Sequence, residues 1–287
     1  MCDRDNAGFI VDTSVTRRSV VVGLSSLAAA ASLPAAAVAA RVVETDVMVK
    51  TTDGMADAVL FHPARSGTWS AVLMWPDILG LRPVFREMGR RLAAQGYTVL
   101  VPNPFYRTRR APIVTGPFDF GDKAAVAKLF ELKATLTDAG VASDASAFLK
   151  FLDQQKQVDR RKGAGVQGYC FSGPFAFQTA AVRSDRIRAV ATFHGGGLVT
   201  KDPSSPHLLI PKSKARFLVA IAQNDDQKQP DAKGVLKATF AAGKRPALVE
   251  VFPADHGWCV AGSPTYNEPA AERAWRELTK LYRETLG

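Results

Sequence analysis

The stretch GVQGYCFSG, residues 165–173, decides how this chain is interpreted. A short apolar run precedes it and an apolar helical pattern follows it. Its cysteine, Cys170, has a small residue two positions before it (Gly168) and two positions after it (Ser172), which is the spacing of a nucleophile elbow at a sharp strand-to-helix turn. Small neighbours are needed because the chain folds back tightly there. Taken alone, the stretch fits a buried structural cysteine equally well, and the rest of the chain has to decide.

Length and composition are those of a globular protein with a sizeable core, since 47% of the 287 residues are hydrophobic. The net charge of +10 permits attraction to anionic ligands, but no Lys/Arg run, zinc-finger pattern or RNP-like motif indicates a nucleic-acid partner. Three cysteines, Cys2, Cys170 and Cys259, are too few for a disulfide framework. The oligomeric state stays open.

The first 40 residues have the pattern of an export signal. Arg17 and Arg18 precede an alanine-rich apolar stretch over residues 20–38, and Ala37-Val38-Ala39 is a small-x-small cleavage signal. Paired arginines before a mildly apolar segment are similar to a twin-arginine leader. We expect export to the periplasm or beyond, a mature domain over residues 41–287, and no stable membrane span after cleavage. An uncleaved membrane anchor is the alternative, because the stretch borders on transmembrane length.

Strand-like and helical patterns alternate along the rest of the chain, which predicts an α/β fold with a mostly parallel sheet and helices on both faces. An antiparallel hairpin comes first, over residues 42–49 and 56–61. Residues 105–137 are basic and aromatic and are predicted to pass over the top of the sheet. The buried strands are predicted at 70–75, 98–101, 163–167, 188–193, 217–222 and 247–252.

Three chemically active residues follow predicted strands in the order nucleophile, acid, histidine. That order, here Cys170, Asp225 and His256, is the order of an α/β-hydrolase triad. A thiolate attacks an acyl carbon, a histidine moves the proton, and a carboxylate orients the imidazole. Asp226 is the second choice for the acid. His194 also follows a strand, and we interpret it as a structural histidine rather than a pocket residue.

Loops at the same edge supply the remaining candidates. Backbone amides of Ile78 and Phe171 are the expected oxyanion donors, because this fold takes them from the loop after an earlier strand and from the residue after the nucleophile. Asp77 has two equally good interpretations: its carboxylate holds the neutral thiol dormant, or it caps the following turn. The residues expected to shape the substrate pocket are Trp75, Phe105, Arg107 and Trp258.

The chain resembles the dienelactone hydrolase family over residues 42–286. GYCFSG (168–173) resembles that family's Gly-x-Cys-x-Gly-Gly elbow, DILGL (77–81) its acidic-Ile-Phe-Gly loop, RLAAQGY (91–97) the helix end behind it, and HGW (256–258) its His-Gly/Ser-aromatic loop. The resemblance implies an α/β-hydrolase fold, a Cys-His-Asp triad and an acidic residue that holds the resting thiol. It also implies hydrolysis of a small ester or lactone without a cofactor, and we assign no metal ligands.

The sequence departs from the family pattern at the substrate end of the site. Ser172 stands where the motif has glycine, and Asp77 stands where the founding enzymes have glutamate. Val260 replaces an arginine that contacts the substrate carboxylate in those enzymes, and the family's other arginine contact corresponds to Arg107 in a loose alignment. These departures point to a small ester, lactone or thioester other than dienelactone.

Two further hypotheses keep the fold but change the function. The first is a binding protein that retains the pocket without turnover. The second is redox control, because an exported thiol is open to oxidation and Cys259 lies three residues after His256.

Overall fold

The computed structural model of the chain describes residues 41–116 and 118–287. The predicted leader, residues 1–40, lies outside the described residues. In the described part of the chain, no helix combines the length and apolar character needed to cross a membrane.

Eight strands and seven α-helices make up the described domain. The strands are β1 (Val42–Thr51), β2 (Gly54–Pro63), β3 (Ser70–Trp75), β4 (Tyr97–Pro102), β5 (Ala164–Tyr169), β6 (Ile187–Phe193), β7 (Arg216–Ala222) and β8 (Ala247–Phe252). The helices are α1 (Pro83–Ala94), α2 (Lys123–Ala134), α3 (Asp138–Asp153), α4 (Gly173–Val182), α5 (Gln223–Lys228), α6 (Ala232–Ala242) and α7 (Glu268–Leu286).

The strands form one sheet in the order β1-β2-β4-β3-β5-β6-β7-β8. β1 pairs antiparallel with β2, and β2 pairs antiparallel with β4. All remaining neighbours are parallel. The α/β-hydrolase architecture and the N-terminal hairpin predicted from the sequence are therefore confirmed.

Both faces of the central sheet are covered, which explains its continuous apolar strands. Successive residues of β3 alternate between two core layers: Leu73 belongs to the layer that contains residues of α3, α4 and α6, whereas Val72 and Met74 belong to the layer that contains residues of α1 and α7. Every residue of β3, β4 and β5 is buried. Since the side-chain period of a strand is two, polar residues have no solvent-facing side to occupy there.

The carboxyl ends of the parallel strands share one edge of the sheet, and the candidate residues lie just beyond it. Asp77 follows β3, Cys170 follows β5, His194 follows β6, Asp225 lies in α5 directly after β7, and His256 follows β8. Ligands of open parallel sheets bind at this edge.

Candidate active site

The backbone at Cys170 has the strained turn expected of an elbow. Cys170 has a φ of 56°, in the left-handed region that residues with a Cβ rarely adopt. A Cβ added at Gly168 would lie 2.2 Å from the carbonyl oxygen of Ser172, and one at Gly173 would lie 2.4 Å from Oγ1 of Thr192. Both positions therefore exclude a side chain, and the sequence has glycine at each of them.

The hydroxyl of Ser172 bridges the elbow to a neighbouring strand. Its Oγ accepts the Tyr169 N–H at 2.9 Å and lies 3.0 Å from the carbonyl oxygens of both Tyr169 and Trp75. The side chain is fully buried. This departure from the family's glycine is accommodated as a structural hydrogen-bonding group.

His256 is oriented by Asp225, as the chain order predicts. Nδ1 of His256 lies 2.6 Å from Oδ2 of Asp225. The second-choice acid, Asp226, instead accepts a hydrogen bond from Lys233 at 2.6 Å. Because α5 begins immediately after β7, Asp225 lies in the first turn of a helix rather than in an open loop.

Two residues that the sequence analysis missed fix the backbone of His256. Its N–H donates to Oδ1 of Asn224 at 2.9 Å, and its carbonyl accepts from Oγ1 of Thr265 at 2.6 Å. Asn224 adjoins Asp225 in the sequence, so its proximity to the site could have been anticipated. Thr265 belongs to a loop without a motif, and no sequence signal identifies it.

The groups around His256 favour a charged imidazole. Burial lowers the pKa of His256, but the hydrogen bond with Asp225 and the interactions with Cys170 outweigh burial and raise that pKa to about 10. The sulfur of Cys170 and a ring nitrogen of His256 lie within 4.8 Å of each other. A charged imidazole therefore lies close to the sulfur of the candidate nucleophile.

His194 differs from its expected structural role, because it lines the cavity at the triad. Its side chain is buried, yet neither ring nitrogen has a hydrogen-bond partner among the described residues. Its ring centroid lies 4.7 Å from that of His256. Burial first, and the nearby His256 second, hold the pKa of His194 well below its usual range, so the ring is neutral.

Asp77 is held by an arginine that the sequence analysis overlooked. Both carboxylate oxygens of Asp77 bind the guanidinium of Arg82, and Oδ2 lies 2.8 Å from its nearer nitrogen. Oδ1 also accepts the Leu79 N–H at 3.0 Å. Of the two interpretations, the turn-capping one matches these contacts, and no described hydrogen bond links Asp77 to the Cys170 thiol. Asp77 and Arg82 lie in an irregular loop, so no helix or strand periodicity in the sequence predicts that they pair.

The two predicted oxyanion donors belong to residues near Cys170, since Ile78 lines the same cavity and Phe171 is the next residue in the chain. Ile78 lines the cavity, and its backbone N–H has no acceptor among residues 41–116 and 118–287. Phe171 follows Cys170 in a short 3-10 turn over residues 170–172. A free amide near a nucleophile is the arrangement that an oxyanion requires.

A cavity of about 450 Å³ opens over Cys170 and His256. Cys170, His194 and His256 form its floor together with Asp77 and Arg82. Its walls are mainly apolar and include α2 and the segment before it, so the predicted passage of residues 105–137 over the sheet is confirmed. The apolar wall residues include Leu79, Val114, Phe118, Leu129, Phe130 and Val260.

None of the four predicted pocket residues lines this cavity, and this is a correction. Trp75 points into the core, where Nε1 donates to Thr179 at 3.1 Å, because the end of β3 directs it toward α4. Trp258 stacks on Phe252 behind the site.

The other two predicted pocket residues are also engaged elsewhere. Phe105 is fully buried and stacks on Phe171 at 5.7 Å between ring centroids, so it supports the elbow from behind. Arg107 forms ion pairs with Asp53 at 2.6 Å and with Asp144 at 2.7 Å. Its guanidinium is committed to these carboxylates and not to a substrate.

The second cysteine of the domain does not pair with the first. Both Cys170 and Cys259 are free thiols. Burial raises the pKa of Cys259 well above its usual range, which makes it a poor nucleophile.

Comparisons with known proteins identify the family of this chain. The model of the dienelactone hydrolase family matches residues 56–286. "Putative carboxymethylenebutenolidase" of Methylorubrum extorquens is 25% identical over 98% of this chain and 97% of its own length. Carboxymethylenebutenolidase of Rhodococcus opacus is 24% identical over 79% of this chain and 86% of its own.

A solved structure shows the same fold. "Putative Dienelactone Hydrolase" of Klebsiella pneumoniae superimposes with a TM-score of 0.74 at 20% identity, covering 85% of this chain and 99% of its own. The family model covers most of the chain, and the fold of the chain agrees with that of its solved relative. The chain therefore belongs to the dienelactone hydrolase family and is a hydrolase acting on ester or lactone bonds.

Proposed function

We propose that this enzyme hydrolyses a small, neutral ester, lactone or thioester through an acyl-enzyme on Cys170. The observation that carries the proposal is the position of His256, whose Nδ1 binds Asp225 at 2.6 Å while the ring faces Cys170 at the base of the cavity. A Cys-His-Asp arrangement of this kind supports nucleophilic acyl transfer.

In the acylation half-reaction, the sulfur of Cys170 attacks the carbonyl carbon, a C–S bond forms, and His256 holds the thiol proton. The carbonyl oxygen becomes an oxyanion next to the amides of Ile78 and Phe171. The bond to the leaving alkoxide or thiolate then breaks, and His256 gives its proton to that leaving group.

In the deacylation half-reaction, neutral His256 takes a proton from water, and the resulting hydroxide attacks the thioester carbon. The C–S bond breaks, the carboxylic acid leaves with the hydrogen of the hydroxide, and the proton that His256 took from water stays with the Cys170–His256 pair. Asp225 supports both halves because it fixes the tautomer of His256 and stabilises its charge.

We expect that Asp77 does not hold the resting thiol of Cys170, in contrast to what the family resemblance implies. Both oxygens of Asp77 bind Arg82 and Oδ1 also accepts the Leu79 N–H, whereas no hydrogen bond among the described residues joins Asp77 to the sulfur. The raised pKa of His256 agrees with a proton that resides on the imidazole. The acidic residue of the DILGL loop then shapes the cavity and does not control the thiol.

The charge pattern of the cavity favours an uncharged acyl group. Val260 is buried in the wall where the resemblance would place an arginine, and Arg107 is paired elsewhere. Among the described lining residues the one arginine is Arg82, and Asp77 neutralises it. A substrate carboxylate would lose water without gaining a free cation.

The experiment is pre-steady-state turnover of p-nitrophenyl butyrate, with mass spectrometry of the trapped intermediate. We expect a burst of p-nitrophenol and a butyryl group on the Cys170 peptide, and both are lost in Cys170→Ala. Cys259→Ser is the matched control and keeps the burst. A butyryl group on another residue, or a burst that survives in Cys170→Ala, would contradict the proposal.

The substrate class is tested by pairing neutral substrates with carboxylate-bearing ones. We expect kcat/KM for an uncharged lactone to exceed that for its carboxylate-bearing analogue. In Val260→Arg the preference should shift toward the charged analogue, because the new guanidinium would face the cavity. No shift in Val260→Arg would contradict the role assigned to this wall.

We further propose that residues 1–40 direct export by a twin-arginine route and are then removed, on the basis of Arg17, Arg18 and the Ala-Val-Ala signal. Mass spectrometry of the exported protein should give a chain that begins near Ala40. Arg17→Lys/Arg18→Lys should leave the protein in the cytoplasm. Exported protein that still begins at Met1 would favour the membrane-anchor alternative.

A further inference from the structure

Three metal-binding side chains converge on the floor of the cavity from three different loops. The sulfur of Cys170 and one ring nitrogen each of His194 and His256 all lie within 4.8 Å of one another. They follow β5, β6 and β8, so the parallel sheet itself brings them together. The hydrolytic mechanism uses two of them and assigns no task to His194.

His194 is unusual for a buried imidazole, because both of its nitrogens lack partners in the described part of the chain. Its side chain is about 1% exposed, so water does not readily compensate the lost hydrogen bonds. Its φ of 40° is a left-handed conformation that the surrounding structure has to enforce. The enforced ring lies at the cavity floor and presents an unused lone pair beside Cys170 and His256.

His256 already has the outer partner of a metal-binding histidine. Its Nδ1 is engaged by Asp225, which leaves Nε2 as the free nitrogen. A carboxylate behind an imidazole fixes the tautomer and raises the basicity of the other nitrogen toward a metal. The bond that serves proton transfer in hydrolysis would serve metal binding equally well.

One thiolate and two imidazoles form a ligand set that suits Zn²⁺. Zinc takes sulfur at about 2.3 Å and nitrogen at about 2.0–2.1 Å in tetrahedral geometry, so its ligand atoms lie about 3.5 Å apart. Atoms that now lie within 4.8 Å need side-chain shifts of at most about 1 Å to reach that spacing. Three protein ligands leave the fourth position open toward the cavity.

We propose that Cys170, His194 and His256 form a zinc site, and that bound Zn²⁺ inhibits hydrolysis by occupying the nucleophile. Binding releases one proton to solvent from the Cys170–His256 pair, and the sulfur and both imidazoles donate lone pairs without any change of oxidation state. The zinc site stands on geometry alone, whereas the inhibition rests on the proposed function.

The binding test uses Co²⁺ as a spectroscopic substitute for Zn²⁺ on the purified enzyme. We expect saturation at one Co²⁺ per chain, with a sulfur-to-cobalt charge-transfer band and the visible bands of a tetrahedral ion, and displacement by Zn²⁺. Cys170→Ser should abolish the charge-transfer band. His194→Gln should weaken binding by about tenfold or more. Cys259→Ser and His207→Gln, which alter a thiol and a histidine outside the ligand set, are the matched controls and should bind as the parent does.

A charge-transfer band that persists in Cys170→Ser, or parent affinity in His194→Gln, would overturn the zinc site. Because the buried His194→Gln variant can lose its fold, X-ray absorption of the zinc-loaded parent provides a second measurement. One sulfur and two imidazole nitrogens around the metal support the site, and any other protein ligand set refutes it.

Activity separates the two proposals. Zn²⁺ should inhibit ester turnover, and EDTA should restore it. An enzyme that binds Co²⁺ as expected but forms no acyl-enzyme would refute the proposed function and leave the metal site standing. An enzyme with normal turnover and no charge-transfer band would refute the metal site alone.

Discussion

Two aspartates lie at the same edge of the sheet and are used in different ways. Asp225 binds the imidazole of His256 at 2.6 Å, whereas Asp77 binds the guanidinium of Arg82 through both oxygens. Both follow a buried parallel strand, and both have mostly covered side chains. The difference is the partner: a titratable ring for one and a permanent cation for the other.

This comparison shows why position at the carboxyl edge does not by itself define a catalytic role. A carboxylate beside an imidazole changes the proton affinity of a group that takes part in chemistry. A carboxylate beside a guanidinium cancels a charge and fixes a loop. We therefore expect the Asp225–His256 pair to be sensitive to conservative substitutions. The Asp77–Arg82 pair should tolerate substitutions that change both partners together.

The largest effect is expected at the nucleophile and its histidine. Cys170→Ala and His256→Ala should each lower kcat/KM for an aryl ester on the order of 10⁴-fold or more, because triad members act as a unit. Circular dichroism and urea titration should show retained folding. Turnover within tenfold of the parent in either variant would place the chemistry elsewhere.

The next effect compares two neighbouring carboxylates of α5. Asp225→Asn should lower kcat/KM by about 10²- to 10⁴-fold, because an amide no longer stabilises imidazolium or holds the reactive tautomer. Asp226→Asn is the matched control and should change kcat/KM less than about threefold, since Asp226 binds Lys233. Equal losses of kcat/KM in the two variants would contradict the assignment of Asp225 as the acid that orients His256.

A smaller effect is expected at the Asp77–Arg82 pair. Arg82→Gln exposes the charge of Asp77 to the reacting sulfur and oxyanion, and kcat/KM should fall about tenfold. Unfolding should become easier by about 2 kcal/mol, because a charge-assisted pair is lost. The double variant Asp77→Asn/Arg82→Gln should recover most of both losses. If the double variant is as impaired as the single one, Arg82 acts in some way other than through Asp77.

The fold and the pairing of Asp225 with His256 were accessible from sequence, because they depend on local rules that the topology preserves. That the pair acts with Cys170 as a triad stays a prediction. Apolar runs, turn residues and small neighbours of Cys170 define strand ends, and parallel strand ends meet at one edge whatever the loops do. Cys170, Asp225 and His256 each follow directly from a strand end. Ile78 and Phe171 also lie just after strand ends, so their positions could be predicted in the same way. Their role as oxyanion donors stays a prediction.

The cavity walls were not accessible, because a wall depends on side-chain direction and on distant partners. Trp75 ends a strand whose alternation turns it toward α4, and a one-residue shift would have turned it to the opposite face. Arg107 is a loop cation whose partners, Asp53 and Asp144, are remote in sequence. The pairing of Asp77 with Arg82 and the placement of His194 likewise required coordinates.

The pH dependence of stability should differ between the parent and a variant that lacks the Asp225 charge. In the folded enzyme His256 has a pKa raised to about 10 from its ordinary value of 6.5, so between these values the folded state holds a proton that the unfolded chain has released. The stabilising contribution is complete below pH 6.5 and is lost as pH rises toward 10. Urea titrations from pH 6 to pH 10 should show a steeper fall in the free energy of unfolding for the parent than for Asp225→Asn. Parallel curves would contradict the raised pKa.

The smallest expected effect on turnover concerns Ser172, which lies two residues after the nucleophile but has a structural role, like the Asp77–Arg82 pair. Ser172→Gly restores the family's residue and removes the hydroxyl that accepts the Tyr169 N–H at 2.9 Å. The φ of Ser172 is −91°, so its backbone does not require glycine. Stability should fall by about 1–2 kcal/mol because a buried donor loses its partner, while kcat/KM changes less than about threefold. Urea titration and aryl-ester turnover measure both. A collapse of turnover comparable to that of Cys170→Ala would make the hydroxyl a participant in the chemistry, and its burial beneath the elbow would then have to be relieved during the reaction.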